Sequence, residues 1–209
     1  MILINFAEYL GVFVFAISGG LVAIRHDMDL FGILIVSLLP AVGGGTLRDI
    51  LLDVEVFWLN NPTIIYTALS GGIGAILYKS WTNLRLFIWV DALGLSLFAI
   101  MGTVKAYSFG FDFLASVIMG TITATAGGII RDIVCGETPL VLKKEIYATA
   151  ALIGSIICYA LFELGFHTNI AIISGFLTVF SIRATAIILN LSLPRSDWVQ
   201  KKIHSFKKK

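Results

Sequence analysis

Seven membrane-spanning α-helices, two inverted three-helix repeats and then a seventh helix, are the architecture this chain predicts. Composition is the first reason: 58% of residues are hydrophobic, only 13% are charged, and mean hydropathy is +0.94. A soluble domain carries about 25% charged residues. Apolar runs are the second, because a helical crossing needs about 20 such residues. The third is internal repetition. The stretch from Phe15 to Ile50 overlays Phe98 to Ile133 without a gap, and 13 of 36 positions are identical. Each unit holds three apolar segments, and an odd number of crossings turns the second unit upside down relative to the first. Inverted repeats of this kind recur in membrane transporters, with the critical site at mid-depth.

The predicted crossings are residues 5–24, 30–52, 62–79, 86–107, 112–134, 146–164 and 169–191. Helices rather than a barrel are required, because runs such as Phe31 to Leu39 lack apolar/polar alternation. Repeat 1 covers residues 1–84, repeat 2 residues 85–167, the seventh helix 168–193, and a basic tail 194–209. The short connections leave no room for a separate soluble domain. Residues 1–12 contain Glu8 but neither Lys nor Arg, so no cleavable signal peptide is expected. Trp58, Trp81, Trp89 and Trp198 fall near span ends, as an interfacial aromatic belt predicts.

Basic residues set the orientation. Arg25, Lys79, Arg85, Lys143, Lys144, Arg195 and the tail lysines fall on one side. Lys105 is alone on the other outside the repeated motifs. The positive-inside rule puts the N-terminus outside and the tail in the cytoplasm, where it can rest on anionic headgroups.

Segments 2 and 5 carry the motifs with chemical content. Segment 2 reads Pro40, Ala41, Val42, Gly43, Gly44, Gly45, Thr46, Leu47, Arg48, Asp49, and segment 5 ends on Ala126, Gly127, Gly128, Ile129, Ile130, Arg131, Asp132. Mid-span glycines weaken a helix by about 1 kcal/mol each. Pro40 removes a donor and frees the Val36 carbonyl. Segment 2 is therefore expected to kink or unwind, which membranes tolerate only where backbone is buried or lines a wet cavity. An intramembrane arginine costs roughly 2.5–3.5 kcal/mol on insertion scales, so Arg48 and Arg131 should face the interior or water. Neighbouring residues do not face each other on a helix, so the expected pairs cross the repeats, Arg48 with Asp132 and Arg131 with Asp49. Packing offers a plainer account, in which the glycines permit close helix approach and the ion pairs clamp the halves.

Other residues have two readings each. The repeat-equivalent acids Glu8 and Asp91 either concentrate cations at opposite mouths or are interfacial carboxylates paired with a base. Thr46, Thr121, Thr123, Thr125 and Ser37 either offer oxygens to a dehydrating ion or bond back to helix carbonyls. Lys105 is an electrostatic gate or a snorkelling interfacial lysine. Phe15 and Phe98 form a hydrophobic constriction or ordinary packing. Arg183, central in the seventh segment, is expected to pair with an acid in the core or across a subunit contact. Cys135 and Cys158 read as small packing residues. His26, His167 and His204 share no helix face, and no nucleophile–base pair, metal spacing or phosphate loop is present, so neither enzyme chemistry nor a cofactor is expected.

The doubled GGGTLRD at 43–49 and AGGIIRD at 126–132 resembles the prokaryotic branch of the TRIC family, trimeric intracellular cation channels. The resemblance spans about residues 5–191. It implies a homotrimer with one pore per protomer, bounded by kinked second and fifth helices, and permeation of monovalent cations, chiefly potassium, with sodium as a second ion. No nucleic-acid partner is implied. Related bacterial sequences carry the label of possible glycine transporters, and the lysine-glutamate-valine motif of animal members is absent from both repeats. Three readings stand: a passive potassium-permeable channel, a secondary carrier of a small amino acid such as glycine, and a non-transporting membrane protein. A mid-depth arginine suits a carboxylate, whereas small size, pathway hydroxyls and paired acids suit a cation pore.

Overall fold

The computed structural model describes residues 2–77, 84–143 and 146–191. All regular structure among them is helical: α1 (Ile2–Arg25), α2 (Leu30–Leu51), α3 (Thr63–Leu77), α4 (Leu84–Ser108), α5 (Phe113–Val134), α6 (Leu140–Lys143), α7 (Ala148–Glu163) and α8 (Thr168–Ile188). Five of these, α1, α2, α4, α5 and α8, are long and apolar enough to cross a membrane, and α3 and α7 are shorter apolar helices. The one-turn α6 was not expected. Trp81, Trp198, Lys79, Lys144, His204 and the basic tail lie outside the described residues.

The repeat is written into the turns. Asp29 and its equivalent Asp112 each cap the next helix, accepting from Gly32 N at 2.7 Å and Ala115 N at 2.8 Å. This satisfies one of the backbone donors orphaned at a helix start. After α2 and α5 the chain turns through left-handed backbone, at Asp53 with φ 53° and at the equivalent Gly136 with φ 70°. Glycine and aspartate are residues that enter this region at low cost.

Helices α1 and α4 form the centre, with Phe15, Phe98, Leu95, Ile100 and Val12 almost wholly buried, and α8 packs outside on α4 and α7. End-to-end contacts run α1 antiparallel to α4. Glu8 near the start of α1 lines a cavity with Lys105 and Ser108 at the end of α4. At the opposite end Arg25 lies over the Phe87 ring, 4.6 Å from its centroid. Arg48 of α2 sits at the first end and Arg131 of α5 at the second, so these two helices also oppose each other.

The expected unwinding of segment 2 does not occur. α2 runs unbroken from Leu30 to Leu51 with Pro40 inside it, and α5 is equally continuous. Inside a membrane no water competes for the backbone, which keeps even a glycine run helical. The carbonyl of Val36 freed by Pro40 lies against Gly19 of α1, where a Cβ would collide with it. The glycines instead let α2 and α5 meet backbone to backbone. A Cβ on Gly44 would strike the Thr123 carbonyl, and one on its equivalent Gly127 would come within 2.5 Å of the Pro40 carbonyl.

Candidate functional site

Two charged clusters sit at opposite ends of the α1/α4 pair, separated by two stacked rings. In the first, Arg48 Nε donates to Asp49 Oδ1 at 2.7 Å, and Lys105 Nζ reaches the same oxygen at 2.8 Å. The second oxygen of Asp49 accepts from the Phe57 amide at 2.9 Å. Arg48 lies 5.5 Å from the Phe57 ring centroid, and the side chains of Arg48 and Asp49 are buried. A half-open cavity of about 290 Å³ adjoins this cluster, lined by Ile4, Glu8, Arg48, Phe57, Met101, Val104, Lys105 and Ser108. The Arg48 Nη2 atom is buried with no hydrogen-bond partner.

The second cluster repeats the first and closes it. Arg131 Nε donates to Asp132 Oδ1 at 2.8 Å, and the Leu140 amide donates to Asp132 Oδ2 at 2.9 Å. Leu140 is the repeat equivalent of Phe57. Here the acid of the first helix in the repeat, Asp91, is drawn in: Arg131 Nη1 lies 2.6 Å from its Oδ1. Ser18 of α1 accepts from the same Nη1 and donates to Asp91 at 3.3 Å. Phe87 covers the guanidinium, 4.8 Å from centroid to Cζ, and both Arg131 and Asp91 are fully buried. The Tyr147 hydroxyl is sealed in beside the Asp91 carboxylate, as donor next to acceptor.

Cross-repeat pairing is thereby corrected. Each arginine holds the aspartate next to it in sequence, not the one in the other repeat. Adjacency does not prevent this because both residues lie in a last helical turn. A backbone amide eight residues on fixes the carboxylate there, and the long arginine side chain wraps round to it. Asp91 is no surface acid; it is a fully buried partner of Arg131. Glu8 is half-buried on the cavity wall, facing the cluster of Arg48, Asp49 and Lys105.

Between the clusters Phe15 and Phe98 stack with centroids 5.2 Å apart and planes 13° from parallel. Each ring lies against a glycine of the other helix. A Cβ on Gly94 would strike Phe15, and one on Gly11 would stand 3.3 Å from Phe98. The hydroxyls of Ser37, Thr46, Thr121, Thr123 and Thr125 all donate to the carbonyl four residues earlier. Thr46 also accepts from Trp58 Nε1 at 2.9 Å, which anchors the loop after α2. The remaining glycines fit neighbouring groups: Gly43 faces Ile130, Gly45 the Phe57 ring, and Gly128 the Tyr147 hydroxyl.

Outside the clusters, Glu137 ties the α5 exit to the α1 exit. It bonds His26 Nε2 at 3.0 Å and lies near Arg25 and Lys143. Burial raises its carboxyl, but the His26 hydrogen bond and the Arg25 and Lys143 charges outweigh this and hold it below the usual value. Arg183 has no acidic partner among the described residues; it lies over Tyr147 and reaches the Ile146 carbonyl at 3.4 Å. Both cysteines are buried and free. Among the described residues no group of His, Cys, Asp and Glu could hold a metal ion.

Ser18, Phe57, Phe87, Leu140 and Tyr147 escaped the sequence reading. The spacing that pairs Arg48 with Arg131 also pairs Phe57 with Leu140, and that signal points to the backbone amides. Nothing in the residue type marks Phe87 or Ser18.

These features define a multi-pass, all-helical membrane protein with a duplicated glycine–arginine–aspartate motif at the ends of two facing helices. The family described as "Glycine transporter" matches residues 5–80 and again 88–163, the same offset as the internal repeat. The chain belongs to that family, and to the prokaryotic branch of the TRIC family with which its structure aligns. It is 40% identical to the UPF0126 inner membrane protein YadS of Escherichia coli (strain K12) over 200 residues, covering 92% of this chain and 95% of YadS. A UPF0126 membrane protein of Vibrio cholerae is 37% identical, covering 92% and 82%. Among solved structures, the TRIC trimeric intracellular cation channel orthologue from Rhodobacter sphaeroides superposes with TM-score 0.88 at 35% identity, over 91% of this chain and all of that one. A prokaryotic TRIC channel in 0.5 M KCl gives TM-score 0.85 at 30% identity, over 92% and 99%. These relatives are membrane proteins and channels rather than enzymes.

Proposed function

We propose that the chain is a potassium-permeable cation channel, a homotrimer with one pore per protomer, built from two inverted three-helix repeats (1–84 and 85–167) and an added helix. The observation that carries this reading is the order of groups along α1 and α4. A cavity lined by Glu8, Arg48 and Lys105, with Asp49 buried behind it, comes first, then the Phe15–Phe98 stack, then the sealed Ser18–Asp91–Arg131–Asp132 cluster. A charged mouth at one end and a sealed charged cluster at the other flank an apolar constriction, a path that holds ions at the open end and excludes water between the two. The TRIC channels with the same fold support a cation as cargo.

In this reading the conformation is closed. Conduction requires the two rings to part and the glycine seam between α2 and α5 to loosen. Gly43, Gly44, Gly45, Gly127 and Gly128 allow that movement because no side chain interlocks there; Thr46, Thr123 and Thr125 present oxygens once it occurs. Arg48 and Arg131 stay compensated by Asp49 and Asp132, so neither repels a cation with a full charge. The N-terminus faces outward and the basic tail inward.

A second reading has its own observation. Arg48, with an unpartnered Nη2 atom, and the Glu8 carboxylate border one cavity, a pair suited to the two charges of a free amino acid. The family's description as glycine transporters agrees with it. Purified protein in a planar bilayer under a potassium gradient, with parallel liposome uptake of labelled glycine, separates the two. Unitary currents reversing near the potassium potential support the channel. Saturable glycine uptake without unitary currents rejects it in favour of the carrier.

A further inference from the structure

Arg183 belongs to neither repeat and takes no part in the path above, yet it is 3% exposed. Its Nε atom has no hydrogen-bond partner, its Nη1 makes one long contact of 3.4 Å to the Ile146 carbonyl, and no carboxylate among the described residues forms an ion pair with it. A buried cation left so poorly satisfied is costly unless an anion completes its shell. Asp91 and Asp132, acids described at this end, are already engaged by Arg131.

Arg183 opens onto a small cavity of about 50 Å³ whose lining includes Ile88, Leu140, Ile146 and Asn190. That is room for a few oxygen atoms. A second cavity of about 340 Å³ adjoins it, sharing Ile146, Ala186 and Leu191 and continuing along Ile182 and Thr185. A mostly apolar chamber whose polar groups are Arg183 and Asn190 therefore leads into a second apolar trough. Every lining element is a helix end or a loop at the Arg131 end of the molecule. Arg183 lies five residues before the end of α8, which is about 7.5 Å along the axis. That is the depth from which arginine side chains reach headgroup phosphates. Arg25 and Lys143 lie at the same end, both beside the single carboxylate of Glu137.

We propose that these two cavities form a site for an anionic phospholipid, its phosphodiester held by Arg183 and Asn190 and an acyl chain lying beside Ile146 and Ile182. The site is distinct from the ion path, and it anchors α8, the helix outside the repeats, through a lipid rather than through an acid.

The test uses the full chain in detergent, titrated with phosphatidylglycerol, phosphatidylcholine or inorganic phosphate, and read by native mass spectrometry and by unfolding temperature. One phosphatidylglycerol should be retained per protomer with a rise in unfolding temperature, while phosphatidylcholine, whose choline cation offsets the charge of the same phosphodiester beside Arg183, binds about tenfold more weakly. Arg183→Met and Thr185→Trp should each abolish the retained lipid, the first by removing the cation and the second by filling the trough from an exposed position. If Arg183→Met does not fold, Thr185→Trp decides. Retention unchanged in the variants that fold, equal binding of phosphatidylcholine, or the full shift from inorganic phosphate alone would each overturn the proposal.

Discussion

Replacing Asp91 with Asn and Glu8 with Gln makes the same chemical change at repeat-equivalent positions, and the structure assigns them very different costs. Asp91 is fully buried, 2.6 Å from Arg131 Nη1 and bonded by Ser18. Removing one partner of a buried pair costs about 3–5 kcal/mol, because the remaining charge stays behind uncompensated. Asp132 also holds Arg131, which puts the expected loss at the lower end, about 3 kcal/mol. At 2–4 °C per kcal/mol for a chain of this size, that is a fall of roughly 6–12 °C in unfolding temperature. Glu8 forms no ion pair or hydrogen bond among the described residues and stands on a cavity wall, so its neutralisation should stay within about 1 kcal/mol. The assay is thermal unfolding of both purified variants in one detergent, followed by single-channel recording of Glu8→Gln, whose conductance should change while its stability does not. Equal losses in the two variants, or a loss under 1 kcal/mol for Asp91→Asn, would refute the view that one half-site is sealed by charge and the other left open.

Three further outcomes follow from distances already given. Gly94→Ala should cost about 1–3 kcal/mol through overpacking against Phe15, whereas Gly11→Ala, whose new methyl meets Phe98 at 3.3 Å, should cost much less; unfolding temperatures compare them, and Phe15→Leu should rescue the first. Gly44→Ala forces the α2–α5 seam apart against a carbonyl, and should lower both the unfolding temperature and the yield of folded protein on size-exclusion chromatography. Glu137 has its carboxyl depressed below the ordinary value of 4.5. Its contribution is therefore present above about pH 4.5 and is lost as pH falls through the lower folded-state value. Between pH 7 and pH 3 the wild type should lose more unfolding temperature than Glu137→Gln.

Span positions and the duplication were legible because both are long-range regularities: hydropathy sums over about 20 residues, and the motif recurs at one fixed offset. The glycines read two ways in sequence, as a weak point in a helix or as room for close packing, and local pattern alone does not choose between them. A triplet of glycines beside Pro40 reads locally as a weakened helix, whereas in the fold those bare backbones are what lets α5 come into contact. The arginine partners could not be read from helix geometry, because the decisive group is a backbone amide beyond the helix, in the loop at Phe57 and at the start of α6 at Leu140. Backbone donors carry no sequence signature. Glu8 and Asp91 looked alike in sequence; only tertiary placement sent one to a cavity wall and the other into an ion pair. Arg183 was expected to find an acid, and its setting against Tyr147 and two cavities depends on α8 folding back over α4.

Phe15 rests in the notch left by Gly94 and Phe98 in the notch left by Gly11, each helix supplying one tooth and one socket. Neither ring can leave its seat alone without being dragged against its neighbour. A slide of α1 along α4 must unmesh both together, and one helical turn, about 5.4 Å, is the shortest step that offers a comparable register. Any relative shift of these two helices would therefore have to come in whole steps rather than as a gradual drift.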